Sequence, residues 1–323
     1  MAYEAGDKIL DDEYNNFVGS SSSPYGINHT AGTGSGAYGL GETAIATVSA
    51  GGTINASQWN SLFTLMDAVA GHTGDTMTST SQRAAGDSIA VISALQANLA
   101  TLAASVAAGC TSTSALTTSS ALQSPSSSAT WYGAFTTEVS ATFASADTMR
   151  HFFNAGGKIR VSAARTGNGA TGGGATGKDT AWSNLYTAVG NLDIKSQAST
   201  RSGTGETLTT NGLDLGFHDL NTGYQTILKL SDDTYPYASN TIEILAKLDL
   251  AVGSATVITI KLIATDGSAD TTFTSGNTSS VDVTAYRNGS HQHSLFSIDP
   301  NTSGGLSGAI APTLTATVSN ATA

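Results

Sequence analysis

Four stretches of this chain carry residue types that could do chemistry. Residues 172–179, GGGATGKD, match the G-x-x-x-x-G-K pattern of a phosphate-binding loop. That loop needs a Ser or Thr hydroxyl after the lysine for Mg²⁺. Asp179 stands there instead, and its carboxylate repels phosphate. A glycine-rich hairpin loop is the expectation. His291-Gln292-His293 is the second stretch. On a strand, residues i and i+2 share a face, so His291 and His293 could meet one metal. The pair occurs once, beside the turn Asn288-Gly289, and reads as an exposed loop pair. These two are only weak metal candidates; no metal and no cofactor are expected. The third group is paired carboxylates: Asp11-Asp12, Asp232-Asp233, and Asp214 with Asp219. A glycosidase needs two such groups several ångströms apart in a groove. Asp232-Asp233 precede Thr-Tyr-Pro-Tyr and read as turn residues, whereas Asp11-Asp12 suit the positive end of a helix. The last is Cys110, the sole cysteine, which excludes an internal disulfide framework and a cysteine zinc site. It reads as a small linker residue. No G-x-S-x-G elbow is present. No catalytic residues are expected, and the chain is read as a non-enzyme.

The elements that would position such residues follow from periodicity. Residues 50–66, AGGTINASQWNSLFTLM, combine a short extended piece with an amphipathic helix. Asn55 and Gln58 form a capping box, and Trp59, Leu62, Phe63, Met66 and Val69 share one face. AGDKILDDEYNNF (5–17) aligns with 50–62 without a gap, setting Tyr14 on Trp59, Asn15 on Asn60 and Phe17 on Leu62. A looser third copy begins at Ala85. An array of small strand–helix repeats is therefore expected over 1–109. Between them, 19–42 reads as a Gly/Ser-rich loop, and Thr43–Ser49 alternates like a strand. In the third copy Ile92, Leu95, Leu99, Leu102 and Val106 make an a/d seam suited to burial against other chains. Polar residues such as Gln96, Asn98 and Thr101 interrupt 88–108, so no membrane span is expected.

Residues 110–130 form a Ser/Thr-rich linker. From 131 the period changes to two. The expected order is a strand at WYGAFTTEVSATF, a helix capped by Ser145 and stopped at Gly156 or Gly157, and a strand at 158–166. A second helix at AWSNLYTAVGNL follows, then strands only: ETLTTNG, LDLGF, YQTILKL, TIEILAKLDL, ATVITIKLIATD, SSVDVTAY, SLFSI and PTLTATV. The fold class read from this is α+β. Small strand–helix repeats come first. An antiparallel β-sandwich or jelly-roll-like domain with two short inserted helices then fills 131–323.

Composition bounds the partners. Only 11% of residues are charged, 36 are glycine, and the net charge is −11. Without clustered Lys and Arg the chain has no means of neutralising phosphates, so no nucleic-acid partner is expected. The acidic start MAYEAGDKILDDEY lacks the apolar core of a signal peptide.

Three strings add a resemblance. AGDKILDDEYNNFV, VSAGGTINASQWNSLFTLMDAVAGHTG, and MRHFFNAGGKIRVSAARTG followed by DTAWSNLYTAVG resemble virion structural proteins of tailed bacteriophages. The likeness is to tail- or neck-fibre-like proteins of marine and cyanobacterial phages. It covers most of the chain in the same order, and the FFNAGG-x-I-R string is its more specific part. The resemblance implies a non-enzymatic, multimeric particle component located in the virion and assembled in the host cytoplasm. The expected partners are further copies of the chain as a homotrimer, other virion proteins, and a host surface glycan. Tyr14, Phe17, Trp59, Leu62, Leu95, Leu99 and Leu102 are the expected assembly interface, with a core private to the chain as the alternative. The competing reading is a carbohydrate-binding or polysaccharide-degrading tail-spike module.

Overall fold

The computed structural model describes residues 11–19, 26–31, 39–78, 80–85, 87, 92–108, 110, 117–121, 134–166, 173–235, 237–268, 272–275, 278–281, 290–300 and 311–319. They form a mixed α/β protein with six α-helices and two main antiparallel sheets. Two compact units share the chain. The first takes its described residues from Met1–Thr117, Ala144–Gly157 and Asp299–Ala311; the second takes the rest.

The first unit is helical. Its elements are α1 (Asp11–Val18), α2 (Ile27–Ala31), α3 (Ala56–Thr73) and α4 (Ile92–Ala107), with α5 (Ala146–Asn154) added from later in the chain. The capping box forms as the sequence predicts. The Asn55 side chain accepts from Gln58 N–H at 3.1 Å, and the Gln58 side chain accepts from Asn55 N–H at 2.8 Å. At its other end α3 stops at Gly74, whose φ of 79° suits glycine. The apolar faces of α1 to α4 close on one core that includes Tyr14, Trp59, Phe63, Leu99 and Val106.

Thr43–Ser49 does not become a strand of a sheet. It runs extended and mostly exposed, and asparagine side chains stand in for the missing neighbour. Asn15 on α1 donates Nδ2 to Val48 O and accepts from Val48 N–H, each at 2.8 Å. Asn28 on α2 does the same to Ile45, at 2.8 and 3.0 Å. Asn60 on α3 grips Arg83 (3.0 and 2.7 Å), and Asn98 on α4 grips Thr78 (2.7 and 3.4 Å). A primary amide offers one donor and one acceptor side by side, so it can pair with a peptide unit as a strand would. The expected loop over 19–42 also holds the short helix α2, while Tyr25 and Tyr38 lie outside the described residues.

The second unit is β-rich. One sheet has the order β1-β12-β3-β4-β5, with β1 (Thr117–Ala121), β12 (Ser290–Asp299), β3 (Lys158–Thr166), β4 (Asn191–Ile194) and β5 (Ser199–Arg201). The other has the order β13-β2-β9-β8-β7-β6, with β13 (Thr313–Ser319), β2 (Ala134–Thr142), β9 (Val257–Thr265), β8 (Thr241–Leu248), β7 (Gln225–Ser231) and β6 (Thr207–Asn211). A ribbon of β10 (Thr272–Ser275) and β11 (Thr278–Val281) completes the strands. Strict alternation of burial along β2, β8 and β9 sends Phe135, Val139, Ile242, Ile244, Ile258, Ile260 and Leu262 to one face. From the five-stranded sheet, buried His293 meets buried Thr137 of the six-stranded one (Nδ1 to Oγ1, 2.9 Å).

Several expectations change. The helix read at AWSNLYTAVGNL starts earlier: α6 (Gly173–Val189) runs through GGATGKD, where a hairpin loop is expected. Glycine disfavours helix by about 1 kcal/mol per residue, so tertiary contact overrides propensity here. Buried Trp182, Leu185 and Tyr186 supply it as α6 packs on β3. Helix α6 ends at Gly190 (φ 61°), and Asn191–Ile194 is strand rather than helix. LDLGF is a turn leading into a 3-10 helix at Phe217–Asp219, not a strand. The expected linker 110–130 contains β1, and Cys110 lies buried in the first unit's core. Asn288-Gly289 and Gly276-Asn277 lie outside the described residues.

Candidate functional site

The seven residues expected to form an assembly interface are brought together, but inward. Tyr14, Phe17, Trp59, Leu62, Leu95, Leu99 and Leu102 are each at most 3% exposed. Trp59 sits at their centre, edge-on to Tyr14 (5.4 Å between centroids, 77°) and tilted on Phe63 at 6.1 Å. The α4 seam faces α2 and α3 of its own chain. An apolar stripe says that a face will be covered, not by what, and here the chain covers its own. These side chains leave no surface for a partner, so any assembly surface has to lie elsewhere.

The chemical candidates resolve similarly. His293 is not an exposed loop residue; it is buried on β12 with Nδ1 on the Thr137 hydroxyl. Burial pushes its pKa down to about 4. His291 lies on the same strand two residues away, and its side chain is outside the described residues. Asp179 of the P-loop-like string is tied to Arg165, whose Nη1 also donates to Asp179 O at 3.0 Å and Ser183 Oγ at 3.2 Å. The Arg165 side chain is 1% exposed, so this ion pair serves packing rather than phosphate. Burial, reinforced by the charge of Asp75, pushes the Cys110 thiol up to about 12, which makes it a poor nucleophile. Asp11 and Asp12 open α1, and Asp219 accepts from Gly216 N–H at 2.9 Å.

The alternation that buries one face of the six-stranded sheet puts a polar patch on the other. Glu138 of β2 pairs in register with Lys261 of β9, their side chains 2.7 Å apart. Tyr224, just before β7, donates its hydroxyl to the same Glu138 oxygen at 2.8 Å. Its ring carries Lys261 Nζ at 4.0 Å and Lys247 Nζ at 4.5 Å from the centroid. Beside them Glu243 takes Lys229 at 3.3 Å and the Thr226 hydroxyl at 2.6 Å. The hydrogen bond from Lys261 is the largest influence holding Glu138 below its ordinary pKa, against a smaller upward push from burial. Burial, then the bond to Glu138, raises the Tyr224 hydroxyl above its ordinary value. Lys229 and Lys261 pair with carboxylates; Lys247 sits over the ring, and its charge also acts on Glu138. The patch therefore offers an ammonium on an aromatic ring, with the hydroxyls of Ser140 and Thr259, bonded to each other at 3.0 Å, two residues along β2 and β9 on the same face. That chemistry suits a hydroxyl-rich ligand bearing negative charge.

Sequence reading missed this patch. Its members span residues 138 to 261 and meet only through strand register. The alternation on each strand was legible, but the neighbours across strands were not. Among the described residues, no helix is long and apolar enough to cross a membrane. No protein-family model, curated protein or solved structure matches this chain.

Proposed function

We propose that this chain is a non-enzymatic structural component of a bacteriophage virion, a fibre-like appendage of tail, neck or capsid. In this reading the N-terminal unit attaches to other virion proteins, and copies of the chain assemble as a homotrimer. The β-rich unit projects and touches host surface glycan. We read its two sheets as a sandwich of jelly-roll type. The observation that carries the proposal is where the phage-like strings fall. MRHFFNAGGKIRVSAARTG and DTAWSNLYTAVG build α5, β3 and α6 and supply buried Met149, Phe152, Ile159, Val161, Trp182 and Leu185. The two glycines of FFNAGG have steric reasons: Gly156 has φ 93°, and a Cβ on Gly157 would sit 2.5 Å from Phe152 O. The likeness is thus one of framework, as expected for a shared scaffold. The asparagine grips support reading the N-terminal helices as repeated units, since Asn15 and Asn60 occupy aligned positions.

Attachment has a candidate surface in a groove of about 820 Å³ beside α3, lined by Glu42, Thr43, Ile45, Asn60, Thr64 and Asp67. The trimer no longer draws on the α4 seam, which is internal, and stands on the resemblance alone. Imaging of intact virions labelled at the C-terminus tests the placement. Label on a projecting appendage is expected; purified particles lacking the chain sink the proposal. A monomer by light scattering that persists on concentration rules out the trimer.

A polysaccharide-directed role is the second reading, favoured by the Tyr224–Lys247–Lys261 patch. Binding of host polysaccharide that weakens in Lys247→Ala, without release of reducing sugar ends, fits adhesion. Cleavage would instead make the chain an enzyme.

A further inference from the structure

Strands β6 and β7 are antiparallel neighbours at the edge of the six-stranded sheet, with Thr207 opposite Ser231 at one end. That register places Glu206, which precedes β6, beside Asp232 and Asp233, which follow β7. One carboxylate oxygen from each of the three lies within 4.8 Å of the others. Backbone bonds set the geometry. Glu206 Oε2 accepts from Asp233 N–H at 2.9 Å, and Asp232 Oδ1 accepts from Thr234 N–H at 2.6 Å. A turn of acidic residues is commonplace by itself. What sets this one apart is the other oxygen of Asp232. The residue is 2% exposed, and among the described residues Oδ2 is buried with no hydrogen-bond partner.

A carboxylate oxygen removed from water without a donor is strongly disfavoured unless a proton or a cation compensates it. Among the described residues, no lysine or arginine forms an ion pair with the three. The charges that act on Glu206 are Asp232 and Asp233, and the one that acts on Asp232 is Asp233. We infer that Glu206, Asp232 and Asp233 bind a calcium ion, which ties the β6 edge to the β7–β8 loop carrying Tyr235. Calcium takes six to eight oxygen ligands at about 2.3–2.6 Å, so ligands on opposite sides of it stand about 5 Å apart. The three oxygens lie within 4.8 Å of one another, close enough to share one such shell. Three carboxylates offered directly suit calcium, whereas magnesium dehydrates reluctantly and usually keeps its waters with one or two carboxylates. Glu206 and Asp233 reach solvent, which leaves the remaining positions to water. Tyr235, two residues along, is 85% exposed, so the ion fixes a loop that holds an aromatic ring in solvent.

The test is calorimetric titration of the chelator-treated full chain with CaCl₂, with MgCl₂ as comparison, and thermal melting in both. One saturable calcium site is expected, with affinity in the range of about 10⁻⁵ to 10⁻³ M, and a melting temperature that rises with calcium. Asp233→Asn and Glu206→Gln should each weaken calcium binding by about tenfold or more. Their ion-free melting temperatures should equal or exceed that of the parent, because a mutual repulsion is removed. That second readout separates a lost ligand from a failed fold. Amide exchange at Asp232, Asp233, Thr234 and Tyr235 should slow when calcium is added. Absence of heat and of any melting shift up to about 5 mM calcium overturns the inference. So does calcium binding that both variants leave unchanged, or loop exchange that calcium does not alter.

Discussion

His72 shows how much a single side chain can weigh. It sits in the last turn of α3, 2% exposed, and neither ring nitrogen has a hydrogen-bond partner among the described residues. Burial pushes its pKa down from 6.5 to about 4. The folded state therefore keeps the ring neutral where the unfolded chain would already bind a proton. Stability is full above about pH 6.5 and is lost as pH falls toward about 4, by roughly 3 kcal/mol at most from this residue. Chemical denaturation across that window should show the loss. His72→Leu, of similar volume, should make the profile shallower, with slope left from His293 and His151, which burial also shifts down. A profile identical in both proteins would show that His72 is solvated. Trp59 makes a different point. As a core residue, Trp59→Ala should lower stability by about 3–5 kcal/mol and leave the oligomeric state unchanged. As an interface residue it would do the reverse, so melting together with light scattering separates the two roles.

At the scale of elements, the asparagine grips hold extended chain against helices without a sheet. Each supplies two bonds to backbone groups of one residue. Asn60→Ala leaves the Arg83 N–H and C=O to water and should cost about 1–3 kcal/mol. Asn15→Ala with Asn28→Ala should do more locally than globally. Hydrogen exchange at Ile45 and Val48 should speed up far more than exchange in the α3 core. Uniform acceleration would instead mean that the grips hold the whole unit. The alignment of Asn15 with Asn60 was visible in the sequence, but its use was not. An asparagine inside a helical pattern reads as a surface residue or a local cap, and nothing local says that its amide will meet a peptide unit 33 or 23 positions away.

The whole molecule divides along lines that differ from composition. The Ser/Thr-rich stretch at 110–130 looks like a boundary, yet the first unit also draws α5 from beyond it. Asn154 donates to Gly39 O at 2.9 Å, and Ala155 joins the first unit's core. A fragment ending at 130 should therefore melt lower than the same unit in the full chain and bind more of a hydrophobic dye. Equal melting of that unit in both would show that α5 adds nothing to it.

Legibility follows the range of the interaction. The Asn55–Gln58 box, the Ser145 cap, and the alternation along β2, β8 and β9 are encoded within a few residues. The sequence by itself therefore determined where most helices and strands lie and which face of each is apolar. Tertiary structure alone decided what covers those faces, because an apolar stripe is satisfied equally by its own chain or another. It turned Trp59 and the Leu95–Leu99–Leu102 seam from a contact surface into a core, and it drew GGATGKD into a helix through Arg165 and Trp182. It also gathered Glu206 with Asp232 and Asp233 through one step of strand register, a proximity that no spacing along the chain could reveal.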